Sequence, residues 1–494
     1  MNFAGKSLIA VAGIAAIWSG GWFGVKAFVV EPEADRAIEV IRAGKQYLSY
    51  DNRSITGFPF GYLVHYDGVQ LSDEGGIWRW SIDGITAERG TAETILMFQP
   101  GSVVSLDTKS FGAPDDTPPV LFELETDALI ITAPDDPSST PTIMSADHLS
   151  VTQKGAATFL SGLRLNMAGL KADYTLEDGS KGSFNYSVDG YETSYNLIQP
   201  DGGEQWAKSK SSAMVSKGYY NLSGFDAANP LDFLQGEGAI NVTMKSEGFS
   251  GETGLSGDPN TPPFTMSYQI DDSDLLLQIE SGSLRYAGET GAIGTTLTFD
   301  DPAPLPSGDI NVAGMSVDIR FPYSPSEQPQ SYLMAFSMGD LVVDEAFWSM
   351  GDPSGAIPRT PAGFAMEIGG EAIIHDYLNS LNAGSTATES PAEVQTVEIR
   401  QFDINAAGIT VGLQGDLTVP NDAATPNGEI ELKLSGISAL LDNLVSGGII
   451  PAPAADQYRA MWPSFLTAGD QPDTYTSKIV AKDGQVSVNG QRVQ

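Results

Sequence analysis

The residues that could carry out chemistry in this chain are few and widely spaced. Its histidines are His65, His148 and His375, and none of them belongs to an HExxH or HxH metal-binding pattern. The 494 residues include no cysteine, so neither disulfide nor thiol chemistry is available. The chain also lacks a phosphate-binding loop, a dinucleotide fingerprint and a GxSxG elbow. We therefore predict no enzymatic activity, no cofactor and no metal site.

Carboxylates are the one abundant reactive group. Three acidic runs offer oxygen ligands for calcium: Asp115-Asp116, Asp135-Asp136 and Asp271-Asp272-Ser273-Asp274. None of them has the spacing of a known calcium loop, and such runs are typical of solvated turns. A glycosidase-like pair among the 63 Asp and Glu residues stays an open alternative without residues to name.

An uncharged apolar run, residues 7–25, lies between Lys6 and Lys26. It is about as long as a helix that crosses a bilayer, roughly 20 residues. Basic groups before it and acidic residues after it favour a cytoplasmic N-terminus with the bulk of the chain in the periplasm. We therefore predict that residues 1–30 form an inner-membrane anchor, the alternative being a cleaved signal peptide that leaves a periplasmic protein. The predicted membrane-spanning residues are Leu8, Ile9, Val11, Ile14, Ile17, Trp18, Trp22, Phe23 and Val25.

The charge of the chain limits its partners. Its formal net charge is -37, and the acidic residues are spread along the sequence. Such a surface repels nucleic acid and anionic lipid headgroups, so we predict no nucleic-acid partner.

Residues 31–494 are predicted to form a β-rich ectodomain, with a candidate boundary in the Ala-, Ser- and Thr-rich stretch 382–393. Apolar and polar residues alternate in many short segments, which is typical of antiparallel sheet with one buried face. Asp-Gly and Asn-Gly pairs supply candidate hairpin turns. These pairs include Asp67-Gly68, Asp83-Gly84, Asp178-Gly179, Asp189-Gly190, Asn427-Gly428 and Asp483-Gly484. We predict a mainly β fold with extensive twisted antiparallel sheet.

Helices are predicted at few places. An amphipathic helix is expected from Pro32 to about Ser49, and a small helical pair at residues 437–445 and 454–461. Residues 371–381 fit a helix, but they also fit the continuation of a strand that begins near Phe364.

Three blocks of sequence carry a resemblance. The first is Gly57-Phe58-Pro59-Phe60. The second, within residues 348–364, contains Asp352-Pro353 and Ile357-Pro358-Arg359-Thr360-Pro361. The third runs from residue 397 to the end through Phe402-Asp403-Ile404-Asn405-Ala406-Ala407-Gly408. In this order they resemble DUF2125, an uncharacterised family of alphaproteobacterial envelope proteins. The resemblance implies an exported protein and brings no catalytic residues.

Two functional classes stay open at this level. The first is a membrane-tethered protein that binds or conveys lipid or another apolar ligand along an open apolar sheet face, by architectural analogy with AsmA-like envelope proteins. The second is an envelope structural or assembly factor that binds other proteins through exposed sheet edges. A closed sandwich or barrel, whose apolar faces meet each other, would remove the basis of the first class.

Overall fold

The computed structural model describes residues 46–56, 63–73, 75–89, 92–107, 118–155, 160–177, 180–198, 203–223, 234, 237–256, 262–300, 305–375, 390–419 and 426–493. The predicted membrane-spanning residues, the Gly57-Phe58-Pro59-Phe60 block, Asp115-Asp116, Asp178-Gly179 and most of 382–393 lie outside these ranges. Within them, no helix has both the length and the apolar character needed to cross a membrane.

The described chain is mainly antiparallel β, as predicted, and divides into two units. The first unit takes Met1–Pro230 and Met244–Pro263, and the second takes Leu231–Thr243 and Phe264–Gln494. The strands of the first unit are β1 (Gln46–Ser49), β2 (Asn52–Thr56), β3 (Leu63–Asp73), β4 (Trp78–Arg89), β5 (Glu93–Phe98), β6 (Ser102–Leu106), β7 (Val120–Thr126), β8 (Leu129–Pro134), β9 (Thr142–Lys154), β10 (Leu160–Leu176), β11 (Lys181–Val188), β12 (Gly190–Ile198), β13 (Glu204–Ser211), β14 (Met214–Asn221) and, after β15, β16 (Phe249–Ser256). Strand β15 (Ala239–Ser246) spans the sequence boundary between the units.

The second unit contains the remaining strands and three short helices. Its strands are β17 (Phe264–Ile270), β18 (Ser273–Glu280), β19 (Ser283–Thr290), β20 (Ile293–Phe299), β21 (Gly308–Val312), β22 (Gly314–Pro322), β23 (Gln330–Val343), β24 (Ala362–Ile374), β25 (Ala392–Ala406), β26 (Ile409–Thr418), β27 (Asn427–Ser435), β28 (Thr467–Ala468), β29 (Thr474–Lys482), β30 (Gln485–Val488) and β31 (Gln491–Arg492). The helices are α1 (Glu345–Gly351), α2 (Ile437–Ser446) and α3 (Ala452–Met461), and a 3-10 turn, Trp462–Ser464, follows α3.

In the first unit, long strands pair through their two halves with two different strands. Residues 78–82 of β4 pair with β6, whereas residues 85–89 pair with β5. Strand β10 divides in the same way between β12 and β11. The result is two rows of hydrogen-bonded strands. Strands β3, β4, β9 and β10 belong to both rows, one half of each strand in each row.

Glycine allows the shared strands to bend between the two rows. Gly68 in β3 and Gly169 in β10 have φ of +60° and +61°, which L-residues with a side chain rarely adopt. A Cβ at either position would also overlap an aspartate carboxylate, that of Asp51 at Gly68 and that of Asp189 at Gly169. Each aspartate lies between two strands that belong to different rows. Its backbone amide donates a hydrogen bond across the bend, from Asp51 to Asp67 O and from Asp189 to Ala168 O, each at 2.9 Å.

These bends correct several predicted hairpins. Asp67-Gly68 and Asp83-Gly84 lie inside the continuous strands β3 and β4. Asp189-Gly190 joins β11 to β12, which pair with β10 and not with each other, and Asn427-Gly428 begins β27. At Asp67-Gly68 the physical reason is that a bend within a strand needs the same permissive Gly conformation as a tight turn.

True two-residue hairpin turns occur in the second unit. At Asp483-Gly484, between β29 and β30, φ is +50° and +77°, which fits a type I′ turn and confirms the prediction. Ser281-Gly282, Ala407-Gly408 and Asn489-Gly490 have the same pair of positive φ angles.

The predicted helix from Pro32 to Ser49 is wrong at its C-terminal end. Residues Gln46–Ser49 form strand β1, in which Leu48 lies opposite Leu71 of β3. Leu48 is buried there with Leu71, so tertiary pairing outweighs the helical periodicity of the segment. The rest of that predicted helix lies outside the described residues.

The other helix predictions agree better with the structure. The pair at 437–445 and 454–461 is confirmed by α2 and α3. The ambiguous stretch from residue 371 continues β24 as strand to Ile374, and residues 376–381 are outside the described ranges. Helix α1 is not predicted, although Asp344 caps it by accepting the Ala346 amide at 2.8 Å, a signal the sequence carries in Asp344-Glu345.

A well-buried core is found in the first unit. It joins apolar residues of both rows between β1 and β8, and Val64, Val69 and Leu71 are at most 2% exposed. A smaller cluster follows around Ala146, Leu170 and Val188. In this part of the chain the two rows of strands therefore pack against each other around a shared core.

Candidate functional site: a half-exposed apolar face

Strand register gathers the alternating apolar residues of the second unit on one side of its sheet. Val317 of β22 lies opposite Phe336 of β23, Phe336 lies opposite Met366 of β24, and Met366 lies opposite Phe402 of β25. Cross-strand neighbours point to the same side, so these residues share one face. We call the following set the apolar face: Leu275, Leu277, Leu284, Tyr286, Met315, Val317, Ile319, Phe321, Met334, Phe336, Met338, Phe364, Met366, Ile368, Ile399, Phe402, Ile404, Val411, Leu413, Ile430, Leu432 and Leu434.

The apolar face is not covered as a core would be. Tyr286, Ile319 and Met334 are 39%, 37% and 44% exposed, and the other members are half-buried. For these strands of the second unit, the half-exposed residues correct the expectation that alternating strands would have one buried face. A contiguous apolar surface left open to water is a candidate binding surface.

The side chains on this face are suited to adapt to a ligand. Phe364 contacts two neighbouring rings, with centroid distances of 5.7 Å to Phe336 and 5.5 Å to Phe402. Four methionines share the face, namely Met315, Met334, Met338 and Met366. Methionine is unbranched and polarizable, so it fits ligands of irregular shape.

The apolar face is also long in the direction across the strands. It extends over β18, β19, β22, β23, β24, β25, β26 and β27, each hydrogen-bonded to the next. Neighbouring strands are about 4.8 Å apart, so seven such steps make a face roughly 34 Å long. That length exceeds what one small, compact ligand would need.

The opposite face of the same strands carries ion pairs. Arg285 and Arg320 both bind Asp318, at 3.0 Å and 2.8 Å. Partial burial raises the pKa of Asp318, but hydrogen bonds from Arg320 and Arg285 outweigh it, so this pKa is lowered. Arg400 pairs in turn with Glu367 and Glu398, at 3.1 Å and 2.9 Å. Because this opposite face is charged, the candidate binding surface is the apolar face.

The loop after α1 is organised by one buried carboxylate. Asp352 is 0% exposed and accepts hydrogen bonds from the amides of Ala356 and Ile357, at 2.9 Å and 2.7 Å. Arg359 donates to it at 2.6 Å and also binds Glu345 of α1. Burial raises the pKa of Asp352, but these hydrogen bonds outweigh it and hold the pKa well below its ordinary value. The guanidinium of Arg359 also lies 4.8 Å from the centroid of the Trp348 ring.

This loop touches other connections of the second unit. Thr360 accepts a hydrogen bond from the Gly408 amide at 3.2 Å, in the β25–β26 turn. Gly447, at the end of α2, lies so close that a Cβ there would overlap Ala356. The second and third sequence blocks thus meet in space, where they hold α1, the turn and α2 together.

Helix α2 is capped by a residue far along the chain. Gly436 precedes it and supplies no side chain, and Asp473 accepts the amides of Ser438 and Ala439 at 2.9 Å and 3.0 Å. Partial burial raises the pKa of Asp473, but these hydrogen bonds outweigh it and lower the pKa. The cap fixes α2 against the start of β29.

The three histidines are divided between the two units. His65 bonds Thr86 and Asp67, each at 2.8 Å, in the first unit, whereas His148 lies in β9 of that unit and His375 lies 3.6 Å from Glu393 in the second. The described residues contain no group of three or more His, Asp or Glu side chains placed to hold a metal ion.

The acidic runs within the described residues lie at connections between strands. Asp136 accepts hydrogen bonds from Ser138 and Ser139 in the β8–β9 connection, and the Ser138 hydroxyl lowers its pKa most. Asp271 and Asp272 join β17 to β18. A cleft of about 450 Å³ nearby has a mixed lining, with Asp271 and Asp340 beside Ile293, Val312 and Val342.

A comparison with known protein families found a match in the second unit. A family model described as "Uncharacterized protein conserved in bacteria (DUF2125)" matches residues 269–493. Residues 269–493 are therefore called the DUF2125 region. No curated protein matches the chain.

The DUF2125 region begins within β17 and ends just after β31. It therefore contains the whole apolar face, the Asp352 loop and the three helices. The resemblance carried by the second and third sequence blocks is confirmed, and those blocks are explained as packing and turn residues of this region.

Proposed function

We propose that this protein binds and conveys lipid, or another ligand with a long apolar chain, along the apolar face of the DUF2125 region. The observation that supports the proposal most directly is a continuous, half-exposed apolar face backed by a charged, ion-paired face. An apolar chain lying on this face would remove from water the area that the fold leaves open.

The proposal places the protein in the cell envelope. The apolar run at residues 7–25 would tether it to the inner membrane, with the remainder in the periplasm, as the charges around the run favour. Binding of this kind requires no cofactor, metal or reaction. The analogy with AsmA-like proteins rests on architecture alone.

The absence of cysteine allows a direct test. Met334 and Ala335 are adjacent in β23, so their side chains point to opposite faces of the sheet. Met334→Cys and Ala335→Cys, each made in the full chain in phosphatidylcholine nanodiscs, are labelled with an environment-sensitive fluorophore and titrated with dibrominated octadecanoic acid.

We expect the fatty acid to quench and blue-shift the label at residue 334 in a saturable way, while the label at residue 335 is unaffected. Equal responses at both positions, or no saturable response at residue 334, would overturn the proposal. Crosslinking of the residue 334 label to another envelope protein, with no response to fatty acid, would instead favour the assembly-factor alternative.

A further inference from the structure

A stripe of exposed apolar side chains runs along α3 and the turn after it. Tyr458, Met461 and Phe465 are 55%, 51% and 49% exposed. Tyr458 and Met461 lie on one side of α3 through their i, i+3 spacing, and Phe465 follows the 3-10 turn, where its amide bonds Trp462 O at 2.9 Å. Three large apolar residues half-exposed in one short segment form a surface that water does not favour.

The same segment adjoins one end of the apolar face. The Trp462 ring meets the Tyr475 ring edge to face, with centroids 5.6 Å apart. Tyr475 lies opposite Leu434, the last member of the apolar face on β27. The turn that follows α3 therefore packs on Tyr475, which lies beside the end of that face.

The charge beside the stripe is already neutralised. Arg459 pairs with Asp442 of α2 and with Asp456, the second at 3.4 Å. No cation of α3 is thus left to attract an anionic surface, and the net charge of -37 opposes one.

We propose that the stripe of Tyr458, Met461 and Phe465 docks on an uncharged lipid bilayer surface, where it brings the end of the apolar face to the lipid. The inference rests on the proposed function for its purpose. Aromatic and apolar side chains next to paired charges suit the interfacial zone of a bilayer, and binding there scales with the apolar area buried. A protein partner is the competing occupant, and the experiment separates the two.

The test uses the full chain reconstituted in vesicles of zwitterionic phosphatidylcholine. Met461→Cys carries a polarity-sensitive label in the stripe, and Ala460→Cys carries it at an exposed position on another side of α3. Vesicles with brominated acyl chains serve as a contact quencher. We expect at least about twofold stronger quenching at residue 461 than at residue 460, since only the stripe would enter the interface. Equal quenching at the two positions, or quenching at neither, would overturn the proposal. A crosslinked protein that shields residue 461 from the brominated acyl chains would also overturn it.

A second variant separates this inference from the proposed function. A triple variant combines Tyr458→Ser, Met461→Ser and Phe465→Ser. It should take up brominated fatty acid from vesicles about tenfold more slowly, because each lost side chain removes interfacial apolar area. The variant should bind monomeric fatty acid, reported by a label at residue 334, as the parent does. Unchanged uptake from vesicles would refute the docking site while leaving the proposed function standing. Loss of binding in the parent itself would refute the proposed function.

Discussion

At the scale of single residues, the most constrained group in the DUF2125 region is the Asp352 carboxylate. It accepts hydrogen bonds from Ser354, Ala356 and Ile357 and pairs with Arg359 while fully buried. A buried carboxylate is tolerated only when such partners satisfy it. Its role in the structure is to fix the loop between α1 and β24.

Asp352→Asn should lower the thermal midpoint by several degrees, because Arg359 would keep its charge and lose its buried counter-ion. Thermal unfolding followed by circular dichroism checks this. Asp456→Asn is a matched control, since that carboxylate is 76% exposed and should change the midpoint little. A midpoint for Asp352→Asn equal to that of the control would contradict the structural role of this carboxylate.

The difference between Asp352→Asn and the parent should depend on pH. The pKa of Asp352 is lowered in the folded state, so the unfolded chain binds the proton more readily. The stabilisation is then complete above the ordinary carboxyl pKa of about 4 and is lost progressively as pH falls below it. Unfolding curves between neutral and strongly acidic pH should converge for parent and variant, and a constant difference would contradict the sign of the shift.

At the scale of elements, long-range partners position the short helices. Helix α2 begins after a glycine, and its capping carboxylate, Asp473, comes from the segment just before β29. An N-cap side chain contributes typically about 1 kcal/mol and up to about 2. Asp473 therefore couples the helix to the final strands.

Asp473→Gly should reduce the free energy of unfolding by about 1 to 2 kcal/mol, since glycine keeps the positive φ of +53° but removes the cap. Asp483→Gly, at φ of +50° in a hairpin turn, tests the backbone effect alone and should stay within about 0.5 kcal/mol of the parent. Urea unfolding gives both values, and faster amide exchange at Ser438 and Ala439 in the first variant would locate the effect. Equal losses in the two variants would argue against the cap.

At the scale of the whole molecule, the two units use their apolar residues differently. The first unit buries them between two rows of strands around Val64 and Leu71. In the second unit the alternating residues from Leu275 to Leu434 remain half-exposed on the apolar face. One unit thus has a conventional core, and the other leaves an apolar surface half-exposed.

This difference predicts unequal costs for the same substitution. Leu71→Ala should lose about 2 to 5 kcal/mol by leaving a cavity in the core, whereas Leu277→Ala should lose less than about 1 kcal/mol. Leu277→Ala should weaken fatty-acid binding, while Leu71→Ala should not change it under conditions where the chain is folded. Urea unfolding and the residue 334 label measure the two effects, and a core-sized loss at Leu277 would show that the face is buried after all.

Local patterns in the sequence determined much of the fold. The alternation of apolar and polar residues in β7, β22, β26 and β27 is a property of neighbouring residues, so it predicted these strands correctly. The same holds for the apolar spacing of α2 and for Asp483-Gly484, where turn and flanking strands agree. The family resemblance of residues 397 to the end also needed only the sequence.

Tertiary structure alone decided how these elements combine. An Asp-Gly pair has the same local freedom whether it closes a hairpin, as at residue 483, or bends a continuous strand, as at residue 67, and only the pairing of distant strands distinguishes the two. Likewise, alternation shows that one face is apolar, but the exposed fraction of Met334 depends on what packs against it. The sequence therefore determined a β-rich chain with a DUF2125 region, and the tertiary structure decided that its apolar face stays open, because burial is set by contacts between residues far apart in the chain.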